Sequence, residues 1–484
     1  MAEGAELIGR VFDLDPDYVP ALVTLGDALA VKGERDAALA VFQRAATLRP
    51  RDAGLHVKLG AALVDLMRFA DAASVYRHAI ELNPNLTRSR FNLAICLAAD
   101  GQPADAEKAY RDLITRDPAY PGAWRNLGNL LVEQRKFDDA IAAYRQALAC
   151  HSDDPEVYGA LGTALRRHGK LNEALDHYGR ATELAPNDTA ALRQFALALH
   201  EARRVEDAVR IYRQVTMIDP TDVTIHNNLC ACLCDLARLD EAAAACERAL
   251  ALDPVYAKAH INRGAIFERK NDTEAAVAAY RSAIAADPSD AGGYSNLAGC
   301  LCELGQPDEA MDACERALLL DANYAPAHTN LGVILDAQGK FEDAVTAHRR
   351  AVAADSASAK AHSSLAVALR VMGALDESLA VSHRAVALDP DDPQVRFNHA
   401  HVLLMNGHLA SGFEEFRWGK KCKGWSESYP AFAEAEWQGE AFAGRTLLLY
   451  AEAGLGDTLQ FVRYLPMVAE RGRSVVLQVQ PSLV

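Results

Sequence analysis

Aromatic residues are scarce. They make up 7% of a 484-residue chain that is 50% hydrophobic, so the core must be assembled from small side chains. No run of 18 apolar residues occurs, so no membrane-spanning helix is expected. Basic runs are missing too. With a net charge of -16 the chain offers no cationic stripe to a phosphate backbone or an anionic membrane, which argues against nucleic acid as a partner. The opening MAEGAELIGR holds two glutamates and no apolar stretch, so no secretory signal is read and a cytoplasmic protein is expected. The 10 cysteines include no CxxC, and without an export signal reduced thiols are expected, with neither disulfides nor a bound metal. GxSxG, HExxH and GxxxxGK[ST] are all absent, and the Gly-Lys pairs at Gly169, Gly339 and Gly419 lack the upstream glycine. No cofactor is expected.

What the chain does have is a period. Prolines stand at Pro16, Pro50, Pro84, Pro118, Pro186, Pro220, Pro254, Pro288 and Pro390, each separated from the next by 34 residues or a multiple of 34, with Ser152, Ala322 and Ser356 at the missing phases. Eleven units therefore follow one another without an insertion. Thirteen residues past each phase lies an apolar knob, Leu29, Leu63 and so on to Leu369, on a first amphipathic helix. Nine further on the residue is small, from Ala38 to Ser378, and four beyond that come rings such as Phe42, Tyr76, Tyr110, Tyr144, Tyr178, Tyr212 and Tyr280. Small and large on one face of a second helix predict close approach of the two helices. The turn between them takes Gly33, Gly101, Gly169, Gly305, Gly339, Gly373 or Asn271, residues that accept positive φ. Acids open the second helix and arginines such as Arg145, Arg213, Arg281 and Arg349 lie near its end, complementing the helix dipole. Much of the acidic balance is read as structural, the other reading being a surface that attracts a basic partner.

Small residue, ring, alanine and proline at this period, with Trp124 and Tyr158 at the aromatic place opening the first helix, resemble the tetratricopeptide repeat. The resemblance implies an all-α, right-handed superhelical solenoid of about twelve helix-turn-helix repeats, whose concave face binds a protein or an extended peptide. By phase, residues 1–16 hold a partial repeat, 17–390 hold eleven full units, and 391–421 hold a degenerate capping unit in which Gly412, Phe413, Phe416 and Trp418 depart from the pattern.

Asn92, Asn126, Asn228, Asn262, Asn296, Asn330 and Asn398 recur at one place of the first helix, interrupted by Ala160, Gln194 and Ser364. A primary amide both donates and accepts, so this column could pair with a peptide backbone whatever its side chains. It is similar to the asparagine ladder of protein O-GlcNAc transferases, while Asn-Leu-Gly is also ordinary repeat chemistry. Both readings stand. His226, His260, His328 and His362 share the aromatic place and are read as packing. Cys232, Cys234 and Cys246 recur 68 residues later as Cys300, Cys302 and Cys314, which duplication of a repeat pair explains, and these too are read as core.

Residues 422–445, with Trp425 and Trp437, read as a linker. From 446 to 484 the class changes. TLLLYAE reads as a buried strand, AGLGD as a glycine turn, TLQFVRYLPMVAERG as a helix and SVVLQVQ as a second buried strand, a short α/β fragment. The stretch from Trp437 onward resembles the junction in bacterial proteins that join tetratricopeptide repeats to a heptosyltransferase-like GT-B glycosyltransferase domain, here cut off after its first βαβ unit. That resemblance implies Asp457 as general base at the acceptor site, with Gly454 and Gly456 letting substrate approach the backbone, and a nucleotide sugar bound only in a longer parent protein. Read alone, Asp457 is an N-cap before Thr458. GLGDTL is no dinucleotide fingerprint, since Leu459 stands where a third glycine belongs. The expected function is a peptide-binding scaffold, with an acceptor-guiding glycosyltransferase as the alternative.

Overall fold

A computed structural model describes residues 15–422, 442–450 and 464–478, and the chain divides into two units, Met1–Lys270 and Asn271–Val484. In the first unit the first helices of successive repeats are α1 (Val19–Lys32), α3 (Ala53–Asp65), α5 (Thr87–Ala99), α7 (Ala123–Glu133), α9 (Pro155–Arg167), α11 (Thr189–Glu201), α13 (Val223–Asp235) and α15 (Ala257–Arg269). Between them stand the second helices α2 (Arg35–Leu48), α4 (Phe69–Leu82), α6 (Pro103–Arg116), α8 (Phe137–Cys150), α10 (Leu171–Leu184), α12 (Val205–Ile218) and α14 (Leu239–Leu252). The second unit opens with α16 (Thr273–Ala286). It continues as the pairs α17 (Ala291–Glu303) and α18 (Pro307–Leu320), α19 (Ala325–Ala337) and α20 (Phe341–Ala354), α21 (Ala359–Val371) and α22 (Leu375–Leu388), and α23 (Pro393–Met405) and α24 (Leu409–Phe416). In both units each helix packs on its sequence neighbours and first helices of successive repeats touch, the arrangement of a tetratricopeptide solenoid.

Small meets large inside each pair, as the spacing predicts. Ala140 and Tyr144 on α8 are 0% and 2% exposed, and the ring lies so close to Gly128 on α7 that a Cβ there would stand 2.5 Å from it. Where the ring place holds histidine the contact persists, with a Cβ on Gly332 falling 2.4 Å from the His348 ring. Interiors this tight transmit any change of volume to the neighbouring helix.

The turns hold a surprise. Beside the glycines and Asn271, the left-handed conformation is adopted by Met67 (φ 58), Arg135 (φ 60), Arg203 (φ 60) and Ala237 (φ 56) at the equivalent place. The repeat geometry fixes this conformation whatever residue occupies it: the next amide must reach back to the helix, as Lys136 N does to Leu131 O at 2.9 Å. Holding an L-residue there costs ~1–2 kcal/mol.

Acids stand in the first turn of the second helices, as the dipole reading expects, but most of these helices have no side-chain cap. The side-chain caps lie mostly on the first helices, where Asp52, Asp154, Asp188, Asp222, Asp290 and Asp392 accept backbone N–H groups. Each such cap contributes ~0.5–2 kcal/mol. On the second helices the acids instead take arginines from the preceding repeat: Arg145 with Glu173 (3.2 Å), Arg281 with Glu309 (2.8 Å), Arg349 with Glu377 (2.8 Å), and Arg213 with Glu241. These exposed pairs contribute ~0–1 kcal/mol each.

The last pair closes the array differently. After α24 the chain turns through a short 3-10 helix, Arg417–Lys421, which sets Arg396 and Lys421 over the Trp418 ring at 4.7 and 4.0 Å. Phe416 packs 5.1 Å from Phe397, while Phe413 stays 56% exposed. Beyond it, β1 (Phe442–Tyr450) and β2 (Gly472–Gln478) pair in parallel, Leu447 opposite Val475 and Leu448 opposite Val476, with α25 (Leu465–Ala469) between them in the chain. The apolar faces of the strand pair stand partly in solvent: Leu448 is 41% exposed, Val476 50% and Leu477 36%. Two paired strands satisfy each other's backbone edges but leave their side-chain faces for another layer to cover.

Candidate peptide-binding groove

The asparagine column lies on the first helices, all seven members half-buried. In the first unit Asn92 donates to the Tyr76 hydroxyl of the preceding repeat at 3.2 Å. Asn126 and Asn228 sit against the hydroxyls of Tyr110 and Tyr212, the latter pair without good hydrogen-bond geometry. Burial pushes the Tyr76 and Tyr110 phenols up to about 12, with the asparagine amides opposing, so each hydroxyl keeps its proton. Asn262 reaches the other way, donating to the Asn227 side chain at 2.9 Å on the previous first helix. In the second unit Asn330 donates to the Ser295 carbonyl at 2.8 Å and Asn398 to the Ser363 hydroxyl at 3.0 Å; Asn296 occupies the same place on α17.

The column therefore has an internal role. Its amide nitrogens bind one repeat to the one before, which restricts χ2 and fixes where each carbonyl oxygen points. Among the described residues no donor reaches the Oδ1 of Asn262 or Asn330, leaving an acceptor on a half-buried surface. Small residues neighbour them one turn further along the helix, Ala265 beyond Asn262 and Gly299 beyond Asn296, and a Cβ on Gly299 would stand 3.7 Å from the Asn330 amide nitrogen. A main chain can approach such a floor closely.

Sequence reasoning missed four arginines of the first helices. Arg166, Arg193 and Arg263 in the first unit and Arg370 in the second are half-buried, each with an Nε that has no partner among the described residues. Arg166 and Arg193 are held by Glu201 (2.7 Å) and Asp222 (2.6 Å). Arg166 and Arg370 share a phase, but the residues between them at that phase are His200, Cys234, Glu268, Cys302 and Asp336, so no arginine column shows in the sequence.

The histidines are clamps. Nε2 of His226, His260 and His328 lies 3.1, 2.9 and 2.9 Å from the carbonyl six residues earlier in the inter-repeat loop, and Trp124 donates to Pro118 in the same way at 2.8 Å. A carbonyl only accepts, so the ring carries its hydrogen on Nε2. His362 uses Nδ1 toward the Ser358 carbonyl at 2.9 Å instead. Among the described residues no group of three His, Cys, Asp or Glu is placed to hold a metal, and no helix is long and apolar enough to cross a membrane. Gly454, Gly456 and Asp457, with residues 423–441 of the linker, lie outside the described residues.

Residues 199–262, 234–291, 290–357 and 329–393 match tetratricopeptide-repeat families, and residues 9–215 match the family described as the cilia and flagella-associated protein 70 C-terminal domain. Among solved structures the chain is similar to yeast Tom70, at 15% identity and TM-score 0.43, over 83% of this chain and 96% of that one. It is also similar to the APC/C hetero-tetramer Cut9-Hcn1 (13%, TM-score 0.45, 86% and 95%) and to MamA protein (22%, TM-score 0.32, 35% and 93%). No curated protein matches the chain. The 34-residue period, the helix pairs and the repeat-family matches together show that the chain carries tetratricopeptide repeats.

Proposed function

We propose that the chain is a protein-interaction scaffold that holds an extended polypeptide along its first-helix faces, reading its backbone more than its side chains. The observation that carries this reading is the arrangement at Asn262 and Asn330: amide nitrogens tied to the preceding repeat, carbonyl oxygens left as oriented acceptors for a peptide N–H.

Peptides selected from a random library on the immobilised full chain supply the test. N-methylation of alternate backbone amides in a selected peptide should weaken binding about ten-fold or more, since each lost hydrogen bond contributes ~0.5–1.5 kcal/mol. Asn262→Ala with Asn330→Ala should weaken the parent peptide similarly while circular dichroism stays helical. Undiminished binding of the methylated peptide would end the backbone-reading proposal.

A second reading has the array guiding an acceptor to a glycosyltransferase domain. The parallel pairing of β1 and β2 around α25 favours it. It differs from the first in requiring turnover of a nucleotide sugar that Asp457→Ala abolishes.

A further inference from the structure

One repeat carries a thiol cluster that the others lack. Cys230 on α13 occupies the place where other first helices carry glycine or alanine, and Cys246 on α14 occupies the ring place. Those two places face each other where the first is glycine, as Gly60 faces Tyr76, Gly128 faces Tyr144 and Gly162 faces Tyr178. Here both places carry a thiol, and Cys234 stands one turn beyond Cys230 on α13. Cys230, Cys234 and Cys246 are 0%, 7% and 1% exposed.

A second feature points the same way. Arg263 on α15 stands where the neighbouring first helices carry leucine, Leu229 before it and Leu297 after it. Its Nε is buried and without a partner among the described residues. The Cys230 thiol, followed by the charge of Arg263, draws the Cys246 thiol below its ordinary range against the opposing effect of burial. At rest Cys246 is a thiol, donating to the Ala259 carbonyl at 3.1 Å. Cys230 is pushed the other way by the neighbouring thiols and by burial, so it keeps its proton.

We propose that Cys230 and Cys246 form a disulfide when the protein meets a hydroperoxide, stapling α13 to α14. Cys246 gives up its proton and its sulfur attacks the peroxide O–O bond. The distal oxygen becomes a sulfenic acid, and the alkoxide or hydroxide that leaves takes up the proton. The Cys230 sulfur then displaces the sulfenic hydroxyl, which departs with the Cys230 proton as water. Two thiols are oxidised by two electrons and the peroxide is reduced to water and an alcohol, or to two waters from hydrogen peroxide. Cys234 is the wrong partner for Cys230. Residues one turn apart on a helix hold their Cβ atoms ~5–6 Å apart, beyond the ~3.5–4.5 Å of a disulfide. Since both sulfurs are buried, the reaction waits on local opening of the repeat and is slower than at the exposed Cys150.

The repeat at 291–320 is a built-in control, because Ala298 replaces the Cys230 partner and leaves Cys314 facing a methyl group. The experiment treats the full chain carrying Cys150→Ser with hydrogen peroxide, alkylates it after denaturation, and maps it with trypsin. The expected result is loss of two hydrogens and a linked pair of peptides, residues 214–238 with 239–248, with fragmentation placing the bond on Cys230 and Cys314 remaining alkylated. Cys230→Ala, which restores the residue found at Ala94 and Ala298, should abolish the link with helical content unchanged. Arg263→Leu, which restores the leucine of neighbouring repeats, should slow its formation about three-fold or more, the lost thiolate fraction being partly offset by greater nucleophilicity. Full alkylation of Cys230 and Cys246 after treatment, a bond to Cys232 or Cys234, or equally fast crosslinking at Cys314 would each overturn the proposal.

Discussion

The repeats and the strand pair are made from similar amounts of apolar residue, yet they bury it differently. Leu161 and Leu165 on α9 are 0% exposed, because α9 has α10 packed on one side, α8 on another and first helices beside it. Leu448 on β1, in an equally apolar run, is 41% exposed. Hydrophobic character sets what can be buried. The number of elements arriving from elsewhere sets what is buried, and a repeat receives a neighbour from each side by construction.

The largest effect expected from this contrast is at Tyr144. Replacing this ring by alanine empties the contact with Gly128 and removes the hydroxyl's 2.6 Å bond to Asn129, which should cost ~3–5 kcal/mol. Leu448→Ala removes a side chain already half in solvent and should cost well under ~1 kcal/mol. Hydrogen exchange on both variants decides the matter: protection should fall across α7 to α10 in the first and hardly change in the array in the second. A comparable loss from Leu448→Ala would mean that β1 supports the array.

Next in size is a pH effect where the last pair meets the one before it: His399 on α23 replaces the usual leucine and faces Ser382, which holds the ring place of α22. His399 is buried, with Nδ1 2.9 Å from the Ser382 hydroxyl, and burial first, then the charge of His383, draws its pKa down to about 4. Unfolded, the ring takes up its proton near pH 6.5. Between those values the unfolded state binds more protons, so the contribution is whole above about pH 6.5 and is lost as pH falls toward about 4. The loss is of order 3 kcal/mol. Urea titrations followed at α23 and α24 should show it, and His399→Leu should flatten the profile. An unchanged slope in that variant would assign the acid sensitivity elsewhere.

How far such features could be read from the sequence depends on whether they repeat. Helix pairs, ring places and knobs were legible because the 34-residue register averages over many copies, and the asparagine column appeared for the same reason. Its partners did not, because Asn262 meets Asn227 across a repeat boundary and that pairing depends on how helices stack. The aspartate caps, two residues past the proline phase in Asp52 or Asp222, were visible but overshadowed by acids on the second helix. Arg263 was one of three departures from a leucine series, with Phe195 and His399, and carried no periodic signal. The strands were recognised by composition, and their exposed apolar faces were expected for a sheet fragment, since burial of a strand depends on layers that its own residues do not specify.

The smallest predicted effect concerns the turns, where the residue and the conformation disagree. Arg135 has φ 60, while Gly169 takes φ 82 at the same place one repeat later. The Arg135 side chain is exposed and makes no described hydrogen bond or ion pair, so removing it sacrifices no contact. Glycine relieves the left-handed penalty of ~1–2 kcal/mol, but it also frees the unfolded chain, which offsets ~0.4–1 kcal/mol. The balance favours the folded state, and Arg135→Gly should stabilise the array by ~0.5–1 kcal/mol, read as a higher urea midpoint at unchanged slope. Gly169→Ala should move the midpoint down by a similar amount. Because repeats share stability only with their neighbours, the shift should be strongest for probes on α7 and α8 and fade toward α1. If Arg135→Gly lowers the midpoint instead, the arginine stem stabilises the turn by packing, and the strain at these four turns is compensated locally and not imposed by the stack.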